Sequence, residues 1–133
     1  MANWMLDHIE TIITELRANK FPDPDGSHVY WIDDREEAFV TREADPAELH
    51  IPRIRSKEDY ATAPHEIGHI CGRYQKSAKL LTRERWAWDW ADENALQWTP
   101  IMEREALESL RWCAHRVPPL GVARVSFYGQ RRL

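Results

Sequence analysis

Residues 65–69 read His-Glu-Ile-Gly-His, which is the H-E-x-x-H order of residue types that binds zinc on a helix. His65 and His69 lie four residues apart, so a helix places both imidazoles on one face, where they can converge on one metal ion. Zinc lowers the pKa of a coordinated water to about 7, and the carboxylate of Glu66 can take the proton and pass it to a leaving amine. The pattern predicts a zinc metallopeptidase, an endopeptidase that hydrolyses peptide bonds through a metal-activated water. It also predicts one zinc ion for each chain.

A catalytic zinc ion takes three protein ligands and leaves a fourth position open, so a third ligand is needed. A longer form of the motif places a ligand three residues after a glycine. Gly72 fits that form, but the ligand position is Gln75, a poor zinc ligand. The third ligand must therefore come from elsewhere in the chain.

A carboxylate from the next predicted helix is the remaining source of a third ligand. Glu84 lies near the start of that helix, and Ala87 and Ala91 share its face. Their small side chains let the helix approach the two histidines closely. We favour Glu84, and Glu93 and Asp89 on the same helix are the alternatives.

Two segments, His65-Glu66-Ile67-Gly68-His69 and Glu84-x-x-Ala87-x-x-Trp90-Ala91, resemble the minimal gluzincin-type metallopeptidases of the ImmA/IrrE family. The resemblance covers roughly residues 49–100. It implies an α+β, zincin-like fold with an N-terminal helix, a small three-stranded sheet, the H-E-x-x-H helix, a glutamate helix and a C-terminal helix. It also implies zinc held by His65, His69 and Glu84, with Glu66 as general base. The family is common in phages and mobile elements, and members with assigned roles cleave regulatory proteins.

The H-E-x-x-H helix also resembles the peptidase-like domain of ArdC-type antirestriction proteins. The alternative function is therefore a non-enzymatic zincin scaffold that binds a partner, or a DNA-associated, antirestriction-like module. The peptidase and the scaffold differ in the role of Glu66. A peptidase needs it as a base, whereas a structural zinc site needs no adjacent base.

Hydrophobic periodicity predicts four helices, and Pro64 decides where the second begins. A proline inside a helix costs about 3 kcal/mol but is tolerated in the first turn, so Thr62 is the expected N-cap. Of the clustered tryptophans, Trp86 and Trp90 form a predicted packing stripe and Trp88 is expected to be exposed. The predicted helices cover residues 4–20, 62–76, 82–97 and 99–115.

Short runs of aromatic and β-branched residues predict strands at 28–33, 38–41 and 49–54, with a further short strand or ordered tail at 121–128. Because Pro52 cannot donate to a ladder, the third strand is expected to be an edge strand or to contain a bulge. An extended peptide can add to such an edge, so Leu49, His50 and Ile51 are predicted substrate-binding residues.

The composition indicates one soluble globular domain over residues 1–133, because 43% of the residues are hydrophobic and 30% charged. The chain has no apolar run of about 20 residues, so no membrane partner is expected. An acidic N-terminus without a secretory signal and only two cysteines favour the cytoplasm. A net charge of −4 makes nucleic acid an unlikely partner and a peptide or protein substrate the expected one.

Overall fold

Four helices and one three-stranded sheet make up the described part of the chain, which is residues 3–19, 29–41 and 48–116 of a computed structural model. This α+β arrangement was predicted; the predicted segment 121–128 lies outside the described residues. None of the helices in these ranges is long and apolar enough to cross a membrane. The elements are α1 (Trp4–Asn19), β1 (Val29–Ile32), a short 3-10 turn (Arg35–Glu37), β2 (Phe39–Thr41), β3 (Glu48–Pro52), α2 (Lys57–Cys71), α3 (Leu80–Asn94) and α4 (Pro100–Arg116).

The strand β3 is the central strand of the sheet, so the prediction of an edge strand is wrong. It pairs in parallel with β1, with Leu49 opposite Val29, and antiparallel with β2, with His50 opposite Phe39. Pro52 is tolerated because it ends the strand beyond the paired part of β2. The next residue along the chain donates its backbone N–H to the last carbonyl of β1, at 2.8 Å.

The side chains of β3 alternate between two environments, as expected for a strand. Leu49 and Ile51 are fully buried in the core. His50 lies on the other face between the rings of Tyr30 and Phe39, with ring centroids 4.6 and 4.0 Å away. Both backbone edges at residues 49 and 50 are paired with neighbouring strands. The predicted peptide-binding edge formed by Leu49, His50 and Ile51 is therefore absent from the described fold.

The helix α2 begins earlier than predicted, with Ser56 as its N-cap. The Ser56 hydroxyl accepts the backbone N–H of Asp59 at 3.0 Å, whereas Thr62 lies inside the helix with Pro64. Proline removes one helical hydrogen bond. Every residue from 59 to 69 is buried, and this packing offsets the loss. The predicted start at Thr62 and end near residue 76 are both wrong, because tertiary burial outweighs the local proline signal.

The helices α2 and α3 touch through small residues, as the sequence predicted. A Cβ on Gly68 would lie 2.4 Å from the carbonyl oxygen of Ala87, which no larger residue permits without moving a helix. Ala87 and Ala91 are fully buried at this contact. The close approach places the C-terminal half of α2 directly against the middle of α3.

The hydroxyl of Tyr60 connects α1, α2 and the segment between α3 and α4. It accepts the backbone N–H of Leu96 at 3.0 Å and lies 2.6 Å from His8 Nδ1. Burial raises the pKa of Tyr60, although the Leu96 N–H opposes this. Burial lowers the pKa of His8, against an opposing effect of Glu15. Tyr60 therefore donates its proton to a neutral His8 ring.

Candidate metal centre

The contact between α2 and α3 brings together His65, His69 and Glu84. Glu84 Oε1 lies 3.1 Å from His65 Nε2, and Glu84 Oε2 lies 2.7 Å from His69 Nε2. The exposed fraction is 0% for His65 and Glu84 and 3% for His69. One ligand atom from each residue lies within 4.8 Å of the others, so these three residues could hold a metal ion. Among the predicted alternatives, Glu93 is exposed, and Asp89 is not part of the cluster.

Charge in this buried cluster favours a cation. Burial raises the pKa of Glu84, but His65 and His69 oppose burial and bring the pKa well below its ordinary value. Burial alone would lower the pKa of His65. The nearby carboxylates of Glu84 and Glu66 have the larger combined effect, and the pKa of His65 is raised above its ordinary value. The negative charge that raises the pKa of His65 would also attract a divalent ion, which binds the neutral ring and releases its proton.

The carboxylate of Glu66 is the most unusual group at the site. It is fully buried, and Oε2 lies 3.0 Å from His65 Nδ1 without the alignment of a hydrogen bond. Neither oxygen accepts a hydrogen bond from the described part of the chain. Leaving a buried charged acceptor unsatisfied costs at least about 1–3 kcal/mol. The fold therefore keeps beside the cluster a carboxylate that accepts no hydrogen bond from the described residues.

Trp88 packs directly against the cluster, contrary to the predicted exposure. Its ring stacks on His65 with centroids 4.0 Å apart and planes 10° apart, and only 3% of Trp88 is exposed. Trp88 follows Glu84 by four residues, so both project from the same face of α3 towards α2. Trp86 lies on the outer side, with its ring centroid 5.0 Å from that of Tyr74.

Gln75 contacts the cluster although its type argued against a ligand role. Its Oε1 lies 2.9 Å from His69 Nδ1, the ring nitrogen that does not face Glu84. The chain returns to α2 at this point because Tyr74 adopts a left-handed conformation with φ of 59°. A left-handed tyrosine has no clear sequence signature, so the spacing of residues alone could not predict this contact.

The donor set of two imidazole nitrogens and one carboxylate oxygen fits a divalent metal ion. Three protein donors leave a coordination position for a further ligand. The carboxylate of Glu66 lies beside His65, one of the three donors. The three buried side chains could therefore hold one divalent ion between α2 and α3.

Comparison of the chain with protein-family models, with curated proteins and with solved structures gives no match. The function must therefore be inferred from the site itself.

Proposed function

We propose that the protein is a zinc-dependent metallopeptidase with a zincin-like fold. In this proposal His65, His69 and Glu84 hold the zinc ion, and Glu66 is the general base. The observation that supports it most is the buried carboxylate of Glu66, which accepts no hydrogen bond from the described residues beside a complete set of three ligands. A catalytic role is one of the established explanations for a buried polar group without a hydrogen-bond partner.

Zinc is the proposed metal because two histidines and one glutamate form a known catalytic zinc set. When bound, zinc supplies a water of lowered pKa and polarises the carbonyl of the substrate. The low pKa of Glu84 keeps its carboxylate ionised and ready to bind a cation. The stacked ring of Trp88 covers one face of His65 and fixes the plane of that ligand.

Glu66 carries the proton through the proposed reaction. A water oxygen forms a bond to the carbonyl carbon of the peptide, and one water proton moves to the Glu66 carboxylate. The C–N bond then breaks, and Glu66 returns the proton to the leaving nitrogen. Because its oxygens accept no hydrogen bond from the described residues, no such bond has to break first.

The edge strand β2 is the proposed place for the substrate backbone, since β3 is paired on both sides. β2 is an edge of the described sheet and packs against α2, the helix that carries both histidines. An extended peptide can add to such an edge through main-chain hydrogen bonds. The resemblance to ImmA/IrrE peptidases favours a regulatory protein as the source of that peptide.

A structural metal is the second candidate, and the burial of the cluster favours it. His65, Glu66 and Glu84 have no exposed surface, whereas a catalytic zinc site needs a coordination position that water or substrate can reach. In this case the protein is a non-enzymatic scaffold that binds a partner or DNA. The unused carboxylate of Glu66 argues for the enzyme, because a structural site gains nothing from it.

A cleavage assay with the Glu66→Gln variant tests the proposal. Zinc-loaded protein is incubated with a library of unmodified peptides, and new termini are counted by mass spectrometry. We expect cleavage by the wild type and by the Glu93→Gln control, whose substitution lies on the exposed side of α3. The Glu66→Gln variant should retain zinc and lose about 100-fold or more in rate.

Two outcomes contradict the peptidase proposal. Wild-type rates in the Glu66→Gln variant show that Glu66 is not the base. Bound zinc without any new termini from the wild type supports the structural candidate instead.

A further inference from the structure

We infer that Gln75 is a positioning residue of the metal centre, which sets the protonated ring nitrogen of His69 and thereby directs Nε2 towards the metal. The inference rests on the metal site of the proposed function and is independent of peptide cleavage. Gln75 is 93% buried, since only 7% of it is exposed, and its side-chain amide reaches three groups.

The orientation of the Gln75 amide follows from its neighbours. One end lies 3.1 Å from the carbonyl oxygen of Arg73 and 2.9 Å from the carbonyl oxygen of Arg83. Carbonyl oxygens only accept hydrogen bonds, so the NH₂ group must be at this end and use both of its protons there. The amide oxygen is then left to face His69 Nδ1 at 2.9 Å. The network excludes the flipped amide.

An oxygen acceptor at Nδ1 determines the form of the His69 ring. Nδ1 must carry a proton, so the neutral ring has its lone pair on Nε2. This lone pair faces Glu84 Oε2, which lies 2.7 Å from Nε2 and also carries lone pairs. Two electron pairs this close repel each other unless a proton or a metal ion lies between them. Gln75 therefore prepares the space between His69 and Glu84 for a cation.

The same amide ties two elements of the site together. Arg73 lies in the turn after α2, and Arg83 is the residue immediately before Glu84 in the first turn of α3. Tyr74 adopts a left-handed conformation that is uncommon for residues other than glycine, and this turn brings Gln75 back to the helices. Gln75 thus holds both the ring of His69 and the first turn of α3, which carries Glu84.

Three variants separate the positioning role from general stability. Gln75→Met keeps the volume and removes all three hydrogen bonds, whereas Gln75→Glu keeps an acceptor for His69. Ser77→Ala is the matched control in the same turn, because the Ser77 hydroxyl accepts the Lys79 N–H and makes no bond to His69. Zinc affinity is measured by competition with a chelator, and thermal unfolding of the metal-free proteins confirms that each variant is folded.

We expect Gln75→Met to bind zinc about 10–100-fold more weakly than the wild type, the usual effect of losing an outer partner of a ligand histidine. Gln75→Glu should recover part of this loss, because its carboxylate can accept from His69 Nδ1 but cannot donate to the carbonyls of Arg73 and Arg83. Ser77→Ala should match the wild type. In ¹⁵N-resolved NMR spectra of the zinc-loaded wild type, His69 should coordinate through Nε2 and show a hydrogen-bonded Nδ1–H. That proton signal should be retained in Gln75→Glu and exchange rapidly in Gln75→Met.

Two results overturn the inference. One is a zinc affinity of Gln75→Met equal to that of Ser77→Ala, and the other is coordination of His69 through Nδ1 in the wild type. The NMR result does not require a folded variant, so the inference can be refuted on the wild type alone. Zinc binding with the expected losses but without peptide cleavage supports the role of Gln75 and refutes only the peptidase proposal.

Discussion

Replacing Gly68 with alanine should push the two ligand-bearing helices apart. The new Cβ would lie 2.4 Å from the carbonyl oxygen and 2.9 Å from the Cα of Ala87. Ordinary contacts begin near 3.4 Å, so α3 must move by about 1 Å. The atoms it meets belong to the backbone, and no side-chain rotation can relieve the contact.

Two opposing effects set the magnitude of the Gly68→Ala change. Inside a helix, alanine raises the free energy of unfolding by about 1 kcal/mol relative to glycine. Overpacking lowers it by about 1–3 kcal/mol. We expect a net loss of up to about 2 kcal/mol in the free energy of unfolding of the metal-free protein. Metal ligands must keep their distances to within about 0.2 Å, so a shift of Glu84 by about 1 Å should weaken zinc binding at least about tenfold.

Urea unfolding and chelator competition measure the two effects of Gly68→Ala separately. The double variant Gly68→Ala/Ala87→Gly is a control, because the predicted collision is with backbone atoms and removal of the Ala87 side chain should not relieve it. A single variant that is more stable by about 1 kcal/mol and binds zinc as the wild type does would refute the reasoning.

Three further predictions concern metal, charge and pH. Zinc at about 100 times its dissociation constant should raise the free energy of unfolding of the wild type by about 2.7 kcal/mol, measured by calorimetry. An equal rise in Glu84→Gln at the same zinc concentration would contradict the assignment of Glu84 as a ligand. Metal-free Glu66→Met should be about 1–3 kcal/mol more stable to urea than the wild type, since it removes two buried oxygens that accept no hydrogen bond from the described residues; a loss of stability would contradict this prediction. The lowered pKa of His8 means that the unfolded chain takes up its proton at a higher pH than the fold does. Stability from neutral His8 is complete above about pH 6.5 and is lost as the pH falls below it. Urea unfolding from about pH 7.5 to 5 should therefore show a steeper loss in the wild type than in His8→Gln, and equal slopes would contradict the prediction.

Local spacing was enough to predict the ligand residues of the candidate site. His65 and His69 share a helix face by their separation of four, and Glu84 shares a face with Ala87 and Ala91 by the same rule. The small residues then allowed the contact between helices that the structure shows. These features depend only on helix periodicity, which the sequence reports directly.

Features that depend on tertiary packing were not predictable from local signals. Pro64 argues locally against a helix, yet the burial of α2 on all sides outweighs it. Pro52 suggested an edge strand, but strand order is set by contacts between distant segments, and Pro52 needs only to end its strand. The burial of Trp88 was predictable from its spacing, because it follows Glu84 by four residues and so lies on the same face of α3.

Gln75 illustrates the part of the site that no motif describes. Its role depends on a left-handed turn at Tyr74 and on backbone carbonyls from two separate elements. Backbone groups of this kind are present at every residue, so the sequence alone gives no sign of which ones a side chain will meet.

The metal content of the purified chain tests the central assignment most directly. Wild-type protein, Glu84→Gln and the control Glu93→Gln are dialysed against zinc, and the zinc bound per chain is measured by elemental analysis. We expect about one zinc ion in the wild type and in Glu93→Gln, and far less than one in Glu84→Gln. A wild type without stoichiometric zinc, or a loss confined to Glu93→Gln, would contradict it.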